Sequence, residues 1–205
     1  MISYKIHLLR CGSAWDGPGQ LFVGQKDLPL SQGGRAELAR LRELGDYPQV
    51  DRLYTSPLAR CRQSAEILYP GHDIRPVEDL RDANLGEFEG KTLEQLGDLP
   101  DFAAWLQNSQ ANPPPGGERV EDFTARVSAA FDGLVREMMR ERVTGAGVIT
   151  HGGVIMALMA AIALPRLPLH EWAVAQGRGY TLLTSAQLWM QGGCAEVFAL
   201  LPGGS

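Results

Sequence analysis

The sequence predicts an α/β protein in which a mostly parallel central sheet is flanked by helices, giving a three-layer α/β/α sandwich. Short apolar segments with the composition of buried strands alternate with segments in which apolar residues recur every three or four positions. A strand, a turn and a helix follow one another in the first half of the chain and again over residues 146–164. Such alternation is typical of a parallel sheet that is covered by helices.

The first predicted strand covers residues 4–9 and ends at Arg10-Cys11-Gly12, where glycine permits a sharp turn. Ser31 is placed to cap the first helix, and Gly45 is placed to end it. Between them the leucines recur at helical spacing. We therefore expect a buried strand, a loop and a helix in this order.

A second strand and a second helix are predicted to follow. Residues 52–55 form the short strand, and Ser56-Pro57 comes directly after it. Serine is a favoured helix cap, and proline is tolerated in the first turn because its missing N–H group would have no partner there. The helix is expected to start with Ser56 as its cap and to end near residues 69–71.

The middle of the chain is less regular. Residues 79–86 are predicted to form a loop, residues 93–106 short helical pieces, and residues 112–117 a stiff connection rich in proline and glycine. The helix that follows is the clearest element, because apolar residues recur at steps of three and four from Val120 to Met138. One face of this helix must belong to the core.

The last third of the chain begins with another strand, turn and helix. We expect the strand over residues 146–150, the turn at His151-Gly152-Gly153, and the helix over residues 154–164, where the following proline ends it. Residues 180–185 and 195–200 are predicted to be two closing strands near an edge of the sheet.

Length and composition limit the class of protein. The 205 residues, 44% hydrophobic and 21% charged, predict one domain over residues 1–205. The net charge of −5 argues against nonspecific binding to nucleic acid or to an anionic membrane. The N-terminal apolar run is too short for a signal peptide, and no stretch reaches the about 18 apolar residues of a membrane span. Whether the chain forms a homodimer stays open.

The three cysteines, Cys11, Cys61 and Cys194, are widely spaced and odd in number. This pattern predicts neither a disulfide framework nor a metal-binding motif, and it fits a reducing compartment such as the cytoplasm. We therefore expect free thiols and no metal site. Cys61 and Cys194 are expected to be packing residues.

Polar side chains follow three of the predicted strands. Arg10 and His151 come directly after the first and third strands, and Arg60 follows the second within a few residues. Because ligands of open α/β sheets bind outside the carboxyl ends of the strands, these side chains should converge. Guanidinium groups and helix N-termini suit phosphate oxygens, so a small phosphorylated molecule is the expected ligand. No glycine-rich fingerprint follows a strand, which excludes Rossmann and P-loop nucleotide enzymes.

Six motifs occur in order between about residues 4 and 160. They are Ile6-His-Leu-Leu-Arg-Cys-Gly, Leu28-Pro-Leu-Ser-Gln-Gly, Tyr54-Thr-Ser-Pro-Leu-Ala-Arg-Cys-Arg-Gln-Ser-Ala-Glu, Leu80-Arg-Asp-Ala-Asn-Leu-Gly-Glu-Phe-Glu-Gly, Pro115-Gly-Gly-Glu and Ile149-Thr-His-Gly-Gly-Val. Together they resemble the histidine phosphatase superfamily, most of all its α-ribazole phosphatase-like and phosphoglycerate mutase-like branch.

The resemblance implies a phosphoglycerate mutase-like fold and a two-step phosphomonoesterase that needs no metal ion or other cofactor. In that family a histidine attacks phosphorus, a phosphoenzyme forms, and water then releases phosphate. By position, Arg10, Arg60 and His151 should hold the phosphoryl oxygens. Asp82 should protonate the leaving oxygen and later activate water. The glycines expected to keep the backbone close to the ligand are Gly12 and Gly152.

Four positions depart from the family pattern. Cys11 stands where the family has its nucleophilic histidine, and Asp82 stands where it usually has glutamate. Ala14 replaces threonine or serine, and Gly17 replaces a frequent asparagine. A cysteine sulfur falls about 2 Å short of the far imidazole nitrogen, and an error of about 1 Å can cost about a hundredfold in rate. A thiolate is nevertheless a competent nucleophile, so we expect weakened catalysis through Cys11.

Two functions remain open at this point. The chain either hydrolyses a small phosphomonoester weakly, or it is a catalytically inactive relative that only binds a phosphorylated ligand. The cysteine phosphatases are a poor match, because their loop places arginine six positions after the cysteine, where this chain has Gly17. Taken alone, an isolated cysteine such as Cys11 is more often a small buried hydrophobic residue; its position inside the motif places it in the site but leaves its role open. Glu118 is expected to cap the long helix rather than to line the pocket.

Overall fold

Strands and helices alternate through residues 2–203, the part of the chain that the computed structural model describes. The strands are β1 (Ser3–Arg10), β2 (Leu21–Phe22), β3 (Arg52–Thr55), β4 (Ile74–Pro76), β5 (Lys91–Thr92), β6 (Gly145–Thr150), β7 (Ala163–Leu164), β8 (Gly179–Ser185) and β9 (Ala195–Leu201). The α-helices are α1 (Gln32–Leu44), α2 (Ala59–Leu68), α3 (Leu93–Leu96), α4 (Pro100–Gln107), α5 (Val120–Glu141), α6 (Gly152–Ile162) and α7 (Ala186–Gly192).

Seven of the strands form one sheet in the order β4-β3-β6-β1-β8-β9-β7, and β2 pairs with β5 in a separate ribbon. Strands β4, β3, β6 and β1 are parallel, as are β7 and β9, whereas β8 runs antiparallel to β1 and to β9. The predicted mostly parallel sheet is therefore confirmed. Because β3, β6 and β1 are parallel neighbours, the residues that follow them meet at one edge of the sheet.

Helices cover both faces of this sheet. Alternate residues of β1 point to opposite faces, so Leu8 packs with Phe131 and other side chains of α5 and α6, whereas Leu9 packs with Leu38 and other side chains of α1 and α2. All four side chains are almost fully buried. Each such burial contributes about 1.5–3 kcal/mol, so both cores hold the three layers together.

The ends of two helices show where local sequence signals succeed and fail. Ser31 caps α1 by accepting a hydrogen bond from Gly34 N, as predicted. The prediction for α2 is wrong, because this helix begins at Ala59 rather than after Ser56. Asp27 Oδ1 accepts a hydrogen bond from Ala59 N at 2.6 Å, so a loop distant in sequence supplies the cap.

The remaining elements lie close to their predicted positions. Helix α6 ends two residues early, because Ala163–Leu164 leave it to pair with β9 at the sheet edge. The short helices α3 and α4 pack with the β2–β5 ribbon around a small separate core of Phe88, Leu96 and Phe102. Among residues 2–203, no helix combines the length and apolar character that crossing a bilayer requires.

Candidate active site

A cavity of about 420 Å³ lies where β1, β3 and β6 end. Its walls contain all five side chains that the sequence predicts to be catalytic, namely Arg10, Cys11, Arg60, Asp82 and His151. The predicted convergence follows from the strand order, because the chain positions after three adjacent parallel strands share one edge of the sheet.

Arg10 is the last residue of β1 and lies beside the N-terminus of α6. Its Nη1 donates a hydrogen bond to Val174 O at 2.6 Å, which uses one of the five donors of a guanidinium. A Cβ atom on Gly152 would lie 3.1 Å from Arg10 Nε, so glycine at the start of α6 leaves room for the guanidinium. The other donors of Arg10 and the first N–H groups of α6 make this wall suitable for an anion.

Arg60 lies in the first turn of α2 and is 4% exposed. Its Nη2 donates to Gly24 O at 2.6 Å and its Nη1 to Lys26 O at 3.0 Å. Nη2 also lies 3.8 Å from Asp82 Oδ2. Because a buried charge needs polar partners, these contacts hold the guanidinium in the cavity wall and still leave donors for a ligand.

His151 precedes α6 and is almost fully buried between two cysteines. Its Nε2 lies 2.8 Å from Ser56 Oγ, and its Nδ1 lies 3.8 Å from Cys11 Sγ. Cys61 Sγ lies 3.5 Å from Nε2 and 3.8 Å from Nδ1 of the same ring. The imidazole is therefore fixed by contacts to three neighbouring elements.

The two buried cysteines differ in their ionisation. A hydrogen bond from Cys61 lowers the pKa of the Cys11 thiol well below its usual value; burial opposes this, and His151 and Arg60 favour it further. Burial raises the pKa of the Cys61 thiol, and the neighbouring Cys11 raises it further. Cys11 is accordingly the member of the pair that loses its proton more readily, and the deprotonated form is the one that acts as a nucleophile.

Asp82 reaches the cavity from the loop that follows a short 3₁₀ turn. Its Oδ2 lies 3.7 Å from His151 Nδ1, and its Oδ1 accepts a hydrogen bond from Ala83 N at 3.0 Å. The side chain is 26% exposed, so the carboxyl group contacts both the cavity and the solvent. This placement suits a group that exchanges protons with a ligand and with water.

Arg126 of α5 holds the loop that carries Asp82. It donates hydrogen bonds to the carbonyl oxygens of Asp79, Arg81 and Asp82, at 2.8–2.9 Å. It also binds both carboxylate oxygens of Glu118, at 2.6 and 2.9 Å. The expectation that Glu118 caps α5 is therefore wrong, because the arginine fork engages its carboxylate.

Gly12 and Gly152 both line the cavity, but for different reasons. A Cβ atom on Gly12 would lie 2.8 Å from Leu38 Cδ1 and 2.9 Å from Leu30 Cδ2. The Gly12 N–H group donates to Ser64 Oγ at 3.0 Å. Close packing against these leucines thus gives one reason for glycine at position 12, and Gly152 makes room for a site residue. The expected approach of the Gly12 backbone to a ligand stays a prediction.

Sequence analysis does not identify Cys61 as part of the site, because it looks like an ordinary packing residue. In space, the ligand atoms of Cys11, Cys61 and His151 all lie within 4.8 Å of one another. The fold thus groups three potential ligand side chains that show no metal-binding spacing in the sequence, and the expectation of no metal site stays a prediction. The one sequence feature that could have placed Cys61 in the site is its position directly after Arg60. Trp15 and Gln176 also line the cavity, but they belong to no motif that would predict this.

Known proteins share this sequence pattern and fold. Residues 6–192 match the family model of the histidine phosphatase superfamily (branch 1). The adenosylcobalamin/alpha-ribazole phosphatase of Salmonella typhimurium is 26% identical over 178 residues, which cover 84% of this chain and 87% of that protein. The glucosyl-3-phosphoglycerate phosphatase of Mycobacterium tuberculosis is 29% identical over 192 residues, which cover 87% of this chain and 83% of that protein.

A solved structure of phosphoglycerate mutase from Bacillus anthracis has the same fold, with a TM-score of 0.74 over 97% of this chain and 92% of that one, at 18% identity. The predicted phosphoglycerate mutase-like fold is thus confirmed. The family match covers most of the chain and includes every strand-end residue of the cavity. The chain therefore belongs to the histidine phosphatase superfamily, branch 1.

Proposed function

We propose that this chain binds the phosphate group of a small phosphomonoester in the cavity and hydrolyses the ester slowly through Cys11. The observation that carries the proposal is the convergence of Arg10, Arg60 and His151 on the cavity wall beside the Cys11 sulfur. The volume of about 420 Å³ suits a small ligand, since such sites usually measure about 300–1,000 Å³. The phosphatase names of the relatives support the reaction class.

In the first step the Cys11 thiolate attacks phosphorus, and the bond between phosphorus and the ester oxygen breaks. Asp82 in its protonated form gives its proton to the leaving oxygen. In the second step Asp82 takes a proton from water, the water oxygen attacks phosphorus, and the sulfur–phosphorus bond breaks to release phosphate and the thiolate. Arg10 and Arg60 stabilise the negative charge on the phosphoryl oxygens in both steps.

Binding of vanadate and phosphate tests the anion site directly. Arg10→Ala should weaken either anion by about 10- to 100-fold, the loss expected for a charge-assisted hydrogen bond. Arg62→Ala is the matched control, because Arg62 is exposed on the same helix as Arg60 and does not line the cavity. Equal affinities of all three proteins, or no anion binding at all, would contradict the site assignment.

Turnover is measured with an aryl phosphate and a panel of small phosphoesters, including α-ribazole phosphate and glucosyl-3-phosphoglycerate, the esters that relatives are named for. We expect slow release of inorganic phosphate that is lost in Cys11→Ser. Anion binding without any turnover would instead identify an inactive relative that only binds phosphorylated ligands.

A further inference from the structure

We infer that Cys11 and Cys61 are an oxidation site, at which hydrogen peroxide converts the two thiols to a reversible disulfide bond. Cys11 lines the cavity, and Cys61 is fully buried beside it. Both cysteines are free in the structure, and their sulfur atoms lie within 4.8 Å of each other. The inference goes beyond the proposed hydrolysis, which uses Cys11 alone and no oxidant.

The backbone segments that carry the two cysteines are already in contact. Gly12, which follows Cys11, donates its N–H group to Ser64 Oγ at 3.0 Å. Ser64 lies about one turn after Cys61 on α2, and its hydroxyl group donates to Arg60 O at 2.6 Å. These hydrogen bonds fix the chain after β1 against the first turns of α2. A disulfide would therefore join two segments without a rearrangement of the fold.

Side-chain rotation covers the remaining distance between the sulfurs. A disulfide bond measures about 2.05 Å, so sulfurs within 4.8 Å of each other need to approach by less than about 2.8 Å. Rotation about the Cα–Cβ bond from one staggered position to the next moves a cysteine sulfur by about 3 Å. His151 Nδ1 lies 3.8 Å from each sulfur, so this nitrogen flanks the pair and does not separate the two atoms.

The two thiols suit different steps of the oxidation. The hydrogen bond from Cys61 lowers the pKa of Cys11, so the thiol that ionises more readily is the one that faces the cavity. Thiolate character and access make a cysteine sensitive to peroxides. Burial raises the pKa of Cys61, and the neighbouring Cys11 raises it further. Conversion of Cys11 to a neutral sulfenic acid removes the second cause, which makes Cys61 easier to ionise.

The oxidation proceeds in two steps. In the first step the ionised Cys11 sulfur attacks one oxygen of hydrogen peroxide, the O–O bond breaks, and the leaving hydroxide takes up the proton that Cys11 released. This step gives water and a sulfenic acid at Cys11. In the second step the Cys61 sulfur attacks the Cys11 sulfur, the S–O bond breaks, and the hydroxyl group leaves as water with the proton of Cys61. The thiols lose two electrons, and the peroxide gains them.

The disulfide would remove the nucleophile of the proposed hydrolysis, because the Cys11 sulfur cannot attack phosphorus while it is bonded to Cys61. It would also protect Cys11 from further oxidation to a sulfinic acid, which thiol reductants do not reverse. Reversible loss of hydrolysis in peroxide rests on the proposed function. Disulfide formation itself does not rest on it, so it is measured without a substrate.

The test treats the fully reduced protein with hydrogen peroxide, unfolds it in an alkylating reagent and measures its intact mass. We expect one alkylated cysteine, Cys194, in place of the three of the reduced chain. Proteolysis should yield a linked pair of peptides that contain Cys11 and Cys61, and dithiothreitol added before alkylation should restore all three thiols.

Two variants separate the roles of the cysteines. In Cys61→Ala, Cys11 should pass on to a sulfinic acid that dithiothreitol does not reverse. In Cys11→Ala, Cys61 should stay reduced, because it is fully buried and has lost the partner that meets the peroxide. Circular dichroism shows whether each variant is folded, and the linked peptides of the unchanged protein provide a test that needs neither variant.

Cys194→Ala is the matched control, because the Cys194 thiol donates to Gly192 O and lies outside the pair. This variant should form the same disulfide as the unchanged protein. The inference is overturned if peroxide leaves Cys11 and Cys61 alkylatable, if it takes Cys11 to a sulfinic acid even with Cys61 present, or if the disulfide joins Cys194. Hydrolysis by a protein that forms no disulfide would overturn the inference alone. A disulfide without hydrolysis would support it and contradict the proposed function.

Discussion

Replacement of Cys11 by histidine is expected to raise phosphatase turnover about a hundredfold. Cys11 directly follows β1, is 5% exposed and borders the cavity. Its sulfur lies one bond beyond Cβ, whereas the far imidazole nitrogen of a histidine lies about 2 Å farther out. Arg10, Arg60 and His151 would define the same phosphate position in both proteins, so the longer side chain closes the gap that sulfur leaves.

The magnitude follows from that gap. A displacement of about 1 Å costs about a hundredfold, so 2 Å alone would correspond to about ten-thousandfold. The low pKa of the Cys11 thiol recovers part of the loss, because more of the strong nucleophile is present. Movement of the phosphate toward the sulfur recovers another part of the lost rate, but it weakens the contacts of the phosphate with Arg10 and Arg60. A hundredfold gain equals about 2.7 kcal/mol of activation free energy.

Asp82→Glu extends the proton donor by about 1.5 Å, so it should add to the gain. The double variant should exceed either single variant, as expected for groups that act as a unit. The assay compares kcat/KM for an aryl phosphate, with Cys11→Ser as the variant without a nucleophile and Cys194→His as the matched control outside the site. Rapid turnover by the unchanged protein, abolished in Cys11→Ser and not improved by Cys11→His, would refute the geometric reasoning.

Three further predictions concern the Asp82 loop, a buried histidine and metal ions. Arg126→Met, measured in the more active Cys11→His protein, should lower kcat at least about tenfold with a smaller change in KM, because Arg126 positions the loop. Burial lowers the pKa of His7 to about 4, so the unfolded state binds more protons than the folded state between about pH 6.5 and 4. The free energy of unfolding should therefore fall by about 1–3 kcal/mol when the pH is lowered through that range, as measured by urea titration. Chelators should not lower the rate of hydrolysis, since arginine side chains supply the positive charge.

Each of these has a contrary outcome. An unchanged kcat in Arg126→Met would show that the loop keeps Asp82 in place without that contact. If His7→Asn and the unchanged protein lose stability equally on acidification, His7 is not the source of the effect. Activity that disappears in chelator and returns with a divalent ion would mean that the reaction depends on a metal.

Particular residues show how far local signals reach. Ser31 caps α1 as predicted because its hydroxyl group bonds to an amide only three residues away. Ser56 fails as a cap because Asp27, far away in the sequence, occupies the first free amide of α2. Glu118 fails as a cap because Arg126 captures its carboxylate. A local sequence pattern identifies side chains that are able to cap a helix. Which hydrogen bond each side chain makes depends on the partners that the tertiary structure brings close to it.

The sequence by itself determined the order of strands and helices, the family, and the residues at the strand ends, because periodicity and short motifs depend only on neighbours along the chain. Only the tertiary structure decided that Cys61 lies against His151 and beside Cys11, and that Arg126 holds the loop of Asp82. Those contacts join segments far apart in sequence. Their distances depend on how α2 and α5 pack against the sheet, and that packing is settled by the burial of the whole core at once.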